Sequence, residues 1–246
     1  MNSFYHMKEF TISLIIPAYN EEKRIGACIE SAIKNSGNRF HEIIVVDSCS
    51  TDRTKEIASS FAHVKVFEEK VKGVMYARQR GFFISSGDII AFVDADNLIP
   101  PGWYDIAQKE FASNPDLALL SGPYSYYDVA VWRQKLASLW WKYIACPTSQ
   151  LVGYMAIFGN LLIRRGVLEK MKGLDTSIEF YGDDSDTSRR ASKFGKVKFS
   201  SKFVMPSSAR RFINQGWINT SFVYFLNFAS EVILRRPFPR KYKDFR

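Results

Sequence analysis

Strand-like and helix-like patterns alternate over the first hundred residues, which predicts an α/β fold with a mostly parallel central sheet flanked by helices. Three observations carry this: near-continuous apolar runs of strand length, helical spacing between those runs, and turn or capping residues at the junctions. Residues 11–17 are an apolar run stopped by Pro17, and 21–34 place Ile25, Cys28, Ile29, Ala32 and Ile33 at helical spacing. EIIVVD at 42–47 reads as a second buried strand. Ser50-Thr51-Asp52 opens a helix to about residue 61, with a hydroxyl for the N-cap and an acid in the first turn. Residues 64–68 form the third strand, 74–85 a helix and 88–93 the fourth strand. Parallel pairing then follows through right-handed crossovers.

Pro100-Pro101-Gly102 starts a helix over 103–114, and 117–121 is a further strand. Residues 129–145 form an amphipathic helix with Trp132, Leu136, Leu139, Trp140 and Tyr143 along one side. Strands are expected over 155–164 and 196–205, with a helix over 182–194 between them. This second half should complete the sheet and supply the far wall of a pocket. Residues 217–234 set Thr220, Tyr224, Asn227 and Glu231 against an apolar arc of Phe222, Phe225, Phe228, Val232 and Ile233, an amphipathic helix suited to a membrane interface or to packing on the sheet or a second subunit. A basic tail follows, with Arg235, Arg236, Arg240, Lys241, Lys243 and Arg246. The expected division is a main α/β domain over 1–212 and an amphipathic helix with basic tail over 213–246.

With 246 residues, 46% apolar and 24% charged, the chain is long enough for one large domain. Its net charge of +9 points to an anionic partner. Concentration of cations after an apolar segment favours an anionic membrane surface over a nucleic-acid groove, a solvated tail being the alternative. Three cysteines without metal or redox spacing fit a reducing cytoplasm, and the first dozen residues lack signal-peptide features.

The chemistry concentrates where strands end. Ile89-Ile90-Ala91-Phe92-Val93-Asp94-Ala95-Asp96 delivers two carboxylates, one residue apart, to the C-terminal end of a buried strand, where open α/β sheets bind ligands. Paired carboxylates can share one divalent cation, and that cation could grip a diphosphate. Taken alone, Asp-x-Asp also opens loops and caps helices. Two further loops, 17–21 and 47–50, leave strands on the same edge of a parallel sheet, and three together say more than any one.

In their order and spacing, SLIIPAYNEEKRIGACIESAI, VVDSCSTDRTKEIA, KGVMYARQRGFFISSGDIIAFVDADN and YGDDSDTSRR resemble the inverting, nucleotide-sugar-dependent glycosyltransferases of family 2. The resemblance implies the GT-A nucleotide-diphospho-sugar transferase fold. It implies that Pro17, Ala18, Tyr19 and Glu21 line the nucleotide, that Asp47 meets the base or ribose, and that Asp94, followed by Ala95, lies near the ribose and diphosphate. Asp96 would be the principal ligand, with Asp94, of a Mg²⁺ or Mn²⁺ ion. Asp184 matches the catalytic base. Asp183 stands where the family usually has glutamate, and Ser48-Cys49 replace the commoner Asp-Gly. Arg78 and Lys72 are candidate phosphate contacts, and Arg210 and Arg211 resemble a Ser-x-Arg-Arg run near the diphosphate. Tyr124, Trp140, Gly159 and Asn160 are candidate acceptor walls. No histidine follows the Asp-x-Asp motif, so Asn97 or water would complete the coordination.

The implied activity is metal-dependent transfer of a sugar from a nucleoside-diphosphate sugar to a hydroxyl of a glycan or lipid-linked acceptor, in the cytoplasm or peripherally on the membrane, with no nucleic-acid partner. One base and no protein nucleophile give a single displacement with inversion. Rival roles stay open at single residues: Gly182-Asp183-Asp184-Ser185 is good N-cap chemistry, Asp47 could satisfy loop amides, and Arg78 could sit on a solvated helix face. A nucleotidyltransferase would carry a glycine-rich basic loop after the first strand, and PAYNEEKR has no glycine. A mere nucleotide-sugar binding module would lack the acidic motif at 182–186.

Overall fold

The computed structural model describes residues 9–178, 182–217, 220, 226 and 230. Within them the chain runs β1 (Ile12–Ala18), α1 (Ile25–Ser36), β2 (Glu42–Asp47), α2 (Thr54–Ser59), β3 (Val64–Glu68), α3 (Val74–Ile84), β4 (Ile89–Phe92), α4 (Trp103–Ser113), β5 (Leu117–Ser121) and β6 (Tyr124–Tyr126). It continues through α5 (Val131–Trp140), a π turn (Trp141–Ala145), α6 (Cys146–Val152), a 3₁₀ turn (Phe158–Asn160), β7 (Leu161–Arg164), α7 (Arg165–Lys170), α8 (Asp183–Ala191), β8 (Lys196–Phe199), β9 (Met205–Ser207) and α9 (Arg210–Gln215).

Seven strands form the main sheet in the order β3-β2-β1-β4-β7-β5-β8. Only β7 opposes its neighbours β4 and β5, while the other pairings are parallel. The α/β fold with a mostly parallel sheet therefore holds. β1, β2, β4 and β5 are buried at every residue, as continuous apolar runs covered on both faces must be. Side chains alternate between the faces: Leu14, Ile16, Ile43, Val45 and Ala91 pack with α1 and α4, while Ile15, Ile44, Val46, Ile90 and Phe92 pack with α3 and α7. Each fully buried aliphatic side chain contributes roughly 1.5–3 kcal/mol, and this burial holds the ends of β1, β2 and β4 on one edge.

Three expected elements differ. The strand over 155–164 shrinks to β7, because a 3₁₀ turn at Phe158–Asn160 bends the chain so that Gly159 can approach Asp94. The strand over 196–205 divides at the Ser200 turn: β8 joins the main sheet, and β9 pairs with β6 in a separate two-stranded sheet. The helix over 129–145 starts at Val131 and continues to Val152. Its π turn precedes Pro147, which has no amide hydrogen to give the helical ladder. Of that helix's apolar side chains, Trp132, Leu136, Leu139, Trp140 and Tyr143 are exposed rather than packed on the sheet. The expected helix over 217–234 and the basic tail lie almost wholly outside the described residues.

Candidate active site

A cavity of about 1580 Å³ opens along the C-terminal edge of β1, β2 and β4. β1 exits into it at Pro17, Ala18 and Tyr19, and Glu21 follows. β4 exits at Asp94-Ala95-Asp96, and α8 points its N-terminus at the cavity with Asp183 and Asp184. The three acids on which the sequence reading turns, Asp94, Asp96 and Asp184, thus line one space.

Two guanidinium groups tie these acids together. Arg78 lies on the buried face of α3, 3% exposed at its side chain. Its Nη2 donates to Asp94 Oδ1 and its Nη1 to Asp183 Oδ2, both at 2.8 Å, while the guanidinium carbon sits 4.0 Å over the Phe158 ring. Arg78 therefore joins the end of β4 to the start of α8 and does not sit on a solvated face. Arg210 opens α9 and donates Nη1 to Glu21 Oε2 at 2.8 Å and Nη2 to Glu21 Oε1. Its Nε lies 3.0 Å from Asp96 Oδ2. Burial disfavours the charge on Arg210, but Asp96 and Glu21 outweigh it and raise its pKa.

The route of Arg210 to Asp96 is set by β9. One edge of that strand pairs with β6, and on the other Ser207 bridges to Asn97 while Leu98 N donates to Pro206 O at 2.9 Å. The exit of β9 is thereby laid beside the loop carrying Asp96. Asp128 fixes the turn: its carboxylate accepts the Ser208 hydroxyl and, at 2.7 Å, the Ala209 amide. Nothing in the sequence spacing indicated the Arg210–Glu21 pair, whose members are 189 positions apart, or the part played by Asp128.

Gly159 is a close-approach glycine. A Cβ there would lie 2.0 Å from the Tyr124 hydroxyl, 2.6 Å from Asp94 Oδ2 and 2.7 Å from Asn97 Nδ2. Tyr124, packed in this corner, has its phenol pKa raised by burial and by the charge of Asp94. Arg211 also lines the cavity, and Lys72 donates to the Tyr19 hydroxyl at 2.8 Å beside it.

Asp47, Asn97 and Asn160 stand apart. Asp47 is 4% exposed beneath the loop, where Oδ2 accepts the Ser50 amide at 3.1 Å and Oδ1 is buried without a hydrogen-bond partner. Its neighbour Ser48 reaches the cavity. Asn97 is fully buried and spends its amide on Gly159 O at 2.6 Å. Asn160, expected on the acceptor wall, does not reach the cavity. It donates to Gly122 O and Phe203 O and accepts from Trp103 Nε1 at 2.9 Å, a junction that a buried amide needs to fill.

Asp183 and Asp184 begin α8 after Gly182, whose φ of +88° is a left-handed conformation glycine adopts without strain. Asp184 accepts the Ser185 amide at 2.8 Å, so N-terminal helix chemistry is present here too. Burial raises the pKa of both acids. The Asp183 charge raises that of Asp184 further, while Arg78 opposes the rise at Asp183. A carboxyl poised this way suits proton uptake near neutral pH.

Among the described residues, no three His, Cys, Asp or Glu side chains cluster as a ready-made metal cage. The oxygens of Asp94 and Asp96 remain a suitable hard-donor set for Mg²⁺ or Mn²⁺, because such ions bind through one or two carboxylates and take their other oxygens from phosphate and water. The Arg210 cation already lies against Asp96, which marks that carboxylate as a place where positive charge is stabilised.

The model of the family described as Glycosyl transferase family 2 matches residues 13–172. Among curated relatives, the uncharacterized glycosyltransferase YibD of Escherichia coli is 37% identical over 98 residues, 38% of this chain and 28% of the relative. Glucosyl-3-phosphoglycerate synthase of Mycolicibacterium smegmatis is 37% identical over 98 residues, 37% of this chain and 32% of that protein. The matched stretches thus span about a third of these relatives' lengths. The mannosyltransferase PcManGT from Pyrobaculum calidifontis, solved with GDP-Man and Mn²⁺, superposes with a TM-score of 0.71 at 18% identity, over 92% of this chain and 65% of that one. Glucosyl-3-phosphoglycerate synthase from Mycobacterium tuberculosis, solved with phosphoglyceric acid, gives 0.63 at 20% identity, over 94% and 81%. At these identities the likeness is one of fold, and the fold is GT-A.

Proposed function

The chain belongs to glycosyl transferase family 2, and from that premise we propose that it moves a sugar from a nucleoside-diphosphate sugar to an acceptor hydroxyl by a single inverting displacement. The observation that carries this is the meeting of Asp94, Asp96 and Asp184 in one cavity, with acids of two separate elements joined through Arg78. Pro17, Ala18, Tyr19 and Glu21 form the nucleotide wall with Ser48 beside them, and Asp47, buried beneath the loop, supports that wall rather than lining it. Asp96, with Asp94, would hold a Mg²⁺ or Mn²⁺ ion, which when bound supplies Lewis-acid neutralisation of the departing diphosphate. Arg210 and Arg211 add positive charge on the same side.

Asp184 takes the acceptor proton. Its raised pKa leaves it basic enough to do so, and the Ser185 amide at the start of α8 holds its carboxylate in place before the proton arrives. Arg78 orients Asp183 and Asp94 and keeps the two acids from repelling each other. The complex of the Pyrobaculum mannosyltransferase with GDP-Man and Mn²⁺ supports a nucleotide sugar and a divalent cation as the partners. A glycan or lipid-linked alcohol is the acceptor class.

The test is release of nucleoside diphosphate from UDP-, GDP- and dTDP-sugars, with and without acceptor and with and without Mn²⁺. Release that needs both acceptor and metal is the expected outcome. Donor binding without turnover under any acceptor would reduce the chain to a binding module, and pyrophosphate chemistry from a sugar phosphate would make it a nucleotidyltransferase.

A further inference from the structure

The helix from Val131 to Val152 has two apolar stripes, and only one of them belongs to the cavity. Trp132, Leu136, Trp140 and Ile144 line it. The neighbouring stripe, Val131, Lys135, Leu139, Lys142 and Tyr143, repeats at helical spacing and takes no part in the lining of that cavity. Val131 is 65%, Leu139 51% and Tyr143 64% exposed, Leu151 beyond them is 89% exposed, and no residue of α5 is buried. Large apolar side chains exposed side by side mark a surface that meets something other than water.

Charge decides among the occupants. Between Asp128 and Glu169 there is no acidic residue, while Arg133, Lys135 and Lys142 sit on the helix or its π turn. A second copy of the same face would bring like charges together, which opposes self-association through it. Lysines set within an apolar stripe, flanked by tryptophan and tyrosine rings that are apolar in body and polar at the rim, fit the boundary of a bilayer with anionic head groups. No helix among the described residues is long and apolar enough to cross a membrane, so such a helix would lie in the interface. We infer that the face formed by Val131, Lys135, Leu139, Lys142 and Tyr143 docks the protein on an anionic lipid surface.

This surface is separate from the acids of the cavity, and its test does not depend on turnover. Full-chain protein is sedimented with vesicles of phosphatidylcholine alone and with vesicles half phosphatidylglycerol. It should pellet with the anionic vesicles and be released by salt. The double substitution Leu139→Glu with Tyr143→Glu should lower partition at least about tenfold, as should Lys135→Glu with Lys142→Glu, since each surface cation is worth roughly a factor of five. The second pair changes exposed charges alone and carries the test if the first pair misfolds. A wild type that ignores anionic vesicles, or either folded variant binding them as the wild type does, overturns the docking face. Thermal shift by UDP- or GDP-sugar with Mn²⁺ should be unchanged in both variants, so a failure of the transferase reading would appear there and not in the vesicle arm.

Discussion

The part of the molecule up to Ser121 and the part beyond it reach the same cavity by different means. From β1 to β5 every strand except the edge strand β3 is buried along its whole length, and the acids leave strand ends already held by pairing and packing. Beyond Ser121 the cavity is met by a two-stranded sheet, a 3₁₀ turn and helices, two of which, α5 and α9, bury no residue. Hydrophobic burial places the first set of groups. Charge places the second: Arg78 reaches from α3 to Asp183, and Arg210 reaches back to Glu21 and Asp96. The contrast teaches that the site is a seam, packed on one side and stitched on the other by guanidinium groups.

The largest effect expected on that contrast comes from the stitched side. Asp184→Asn should lower kcat by about 10²–10⁴-fold, the usual worth of a positioned base, while donor affinity from the packed side stays unchanged. Nucleoside diphosphate release and donor titration read the two separately, and equal turnover would remove Asp184 from the role. The pH dependence follows from the raised pKa of Asp184 and Asp183. Activity should climb with pH above the ordinary carboxylate range of about 4, as the base deprotonates. Stability moves oppositely: the native state keeps these protons longer than the unfolded chain, so what the two acids contribute at low pH is lost as pH rises. Melts across pH should show a shallower fall in Asp184→Asn.

Arg78→Met cuts a stitch and leaves Asp94 and Asp183 without their shared cation. A cost of about 3–5 kcal/mol is expected in denaturant unfolding, and a loss under about 1 kcal/mol would mean that packing alone holds the seam. Gly159→Ala tests how closely the two sides approach, because its Cβ must enter space held by the Tyr124 hydroxyl and Asp94. About 1–3 kcal/mol of overpacking should come with weaker donor binding, whereas unchanged binding would show that Tyr124 gives way.

The smallest effect lies within the packed side. Cys49 has φ +64° in the β2 exit loop. Cys49→Gly relieves about 1 kcal/mol of left-handed strain but gains unfolded-state freedom of similar size, so melting should hardly move.

That division also separates what was legible in the residues from what was not. β2 and β5 are found where apolar runs placed them, because continuous burial writes itself as continuous hydrophobicity. The loops at 17–21 and 94–96 share a cavity because parallel strands must end on one edge. Beyond Ser121 local pattern competes with long-range contact. The run 196–205 is apolar enough for one strand, yet it divides between two sheets. Asn160 looked like a site residue and is a buried junction. Asp128 carries no local signal, since its worth depends on Ser208 and Ala209, brought near only by the fold.

Because Arg78 and Arg210 already stand among the acids of the cleft, the carboxylates of Asp94, Asp96, Asp183 and Glu21 are each held by a guanidinium group of the chain itself. Such a cleft can idle: the chain can finish folding before any guest arrives, and a chelator would be expected to silence it without melting it.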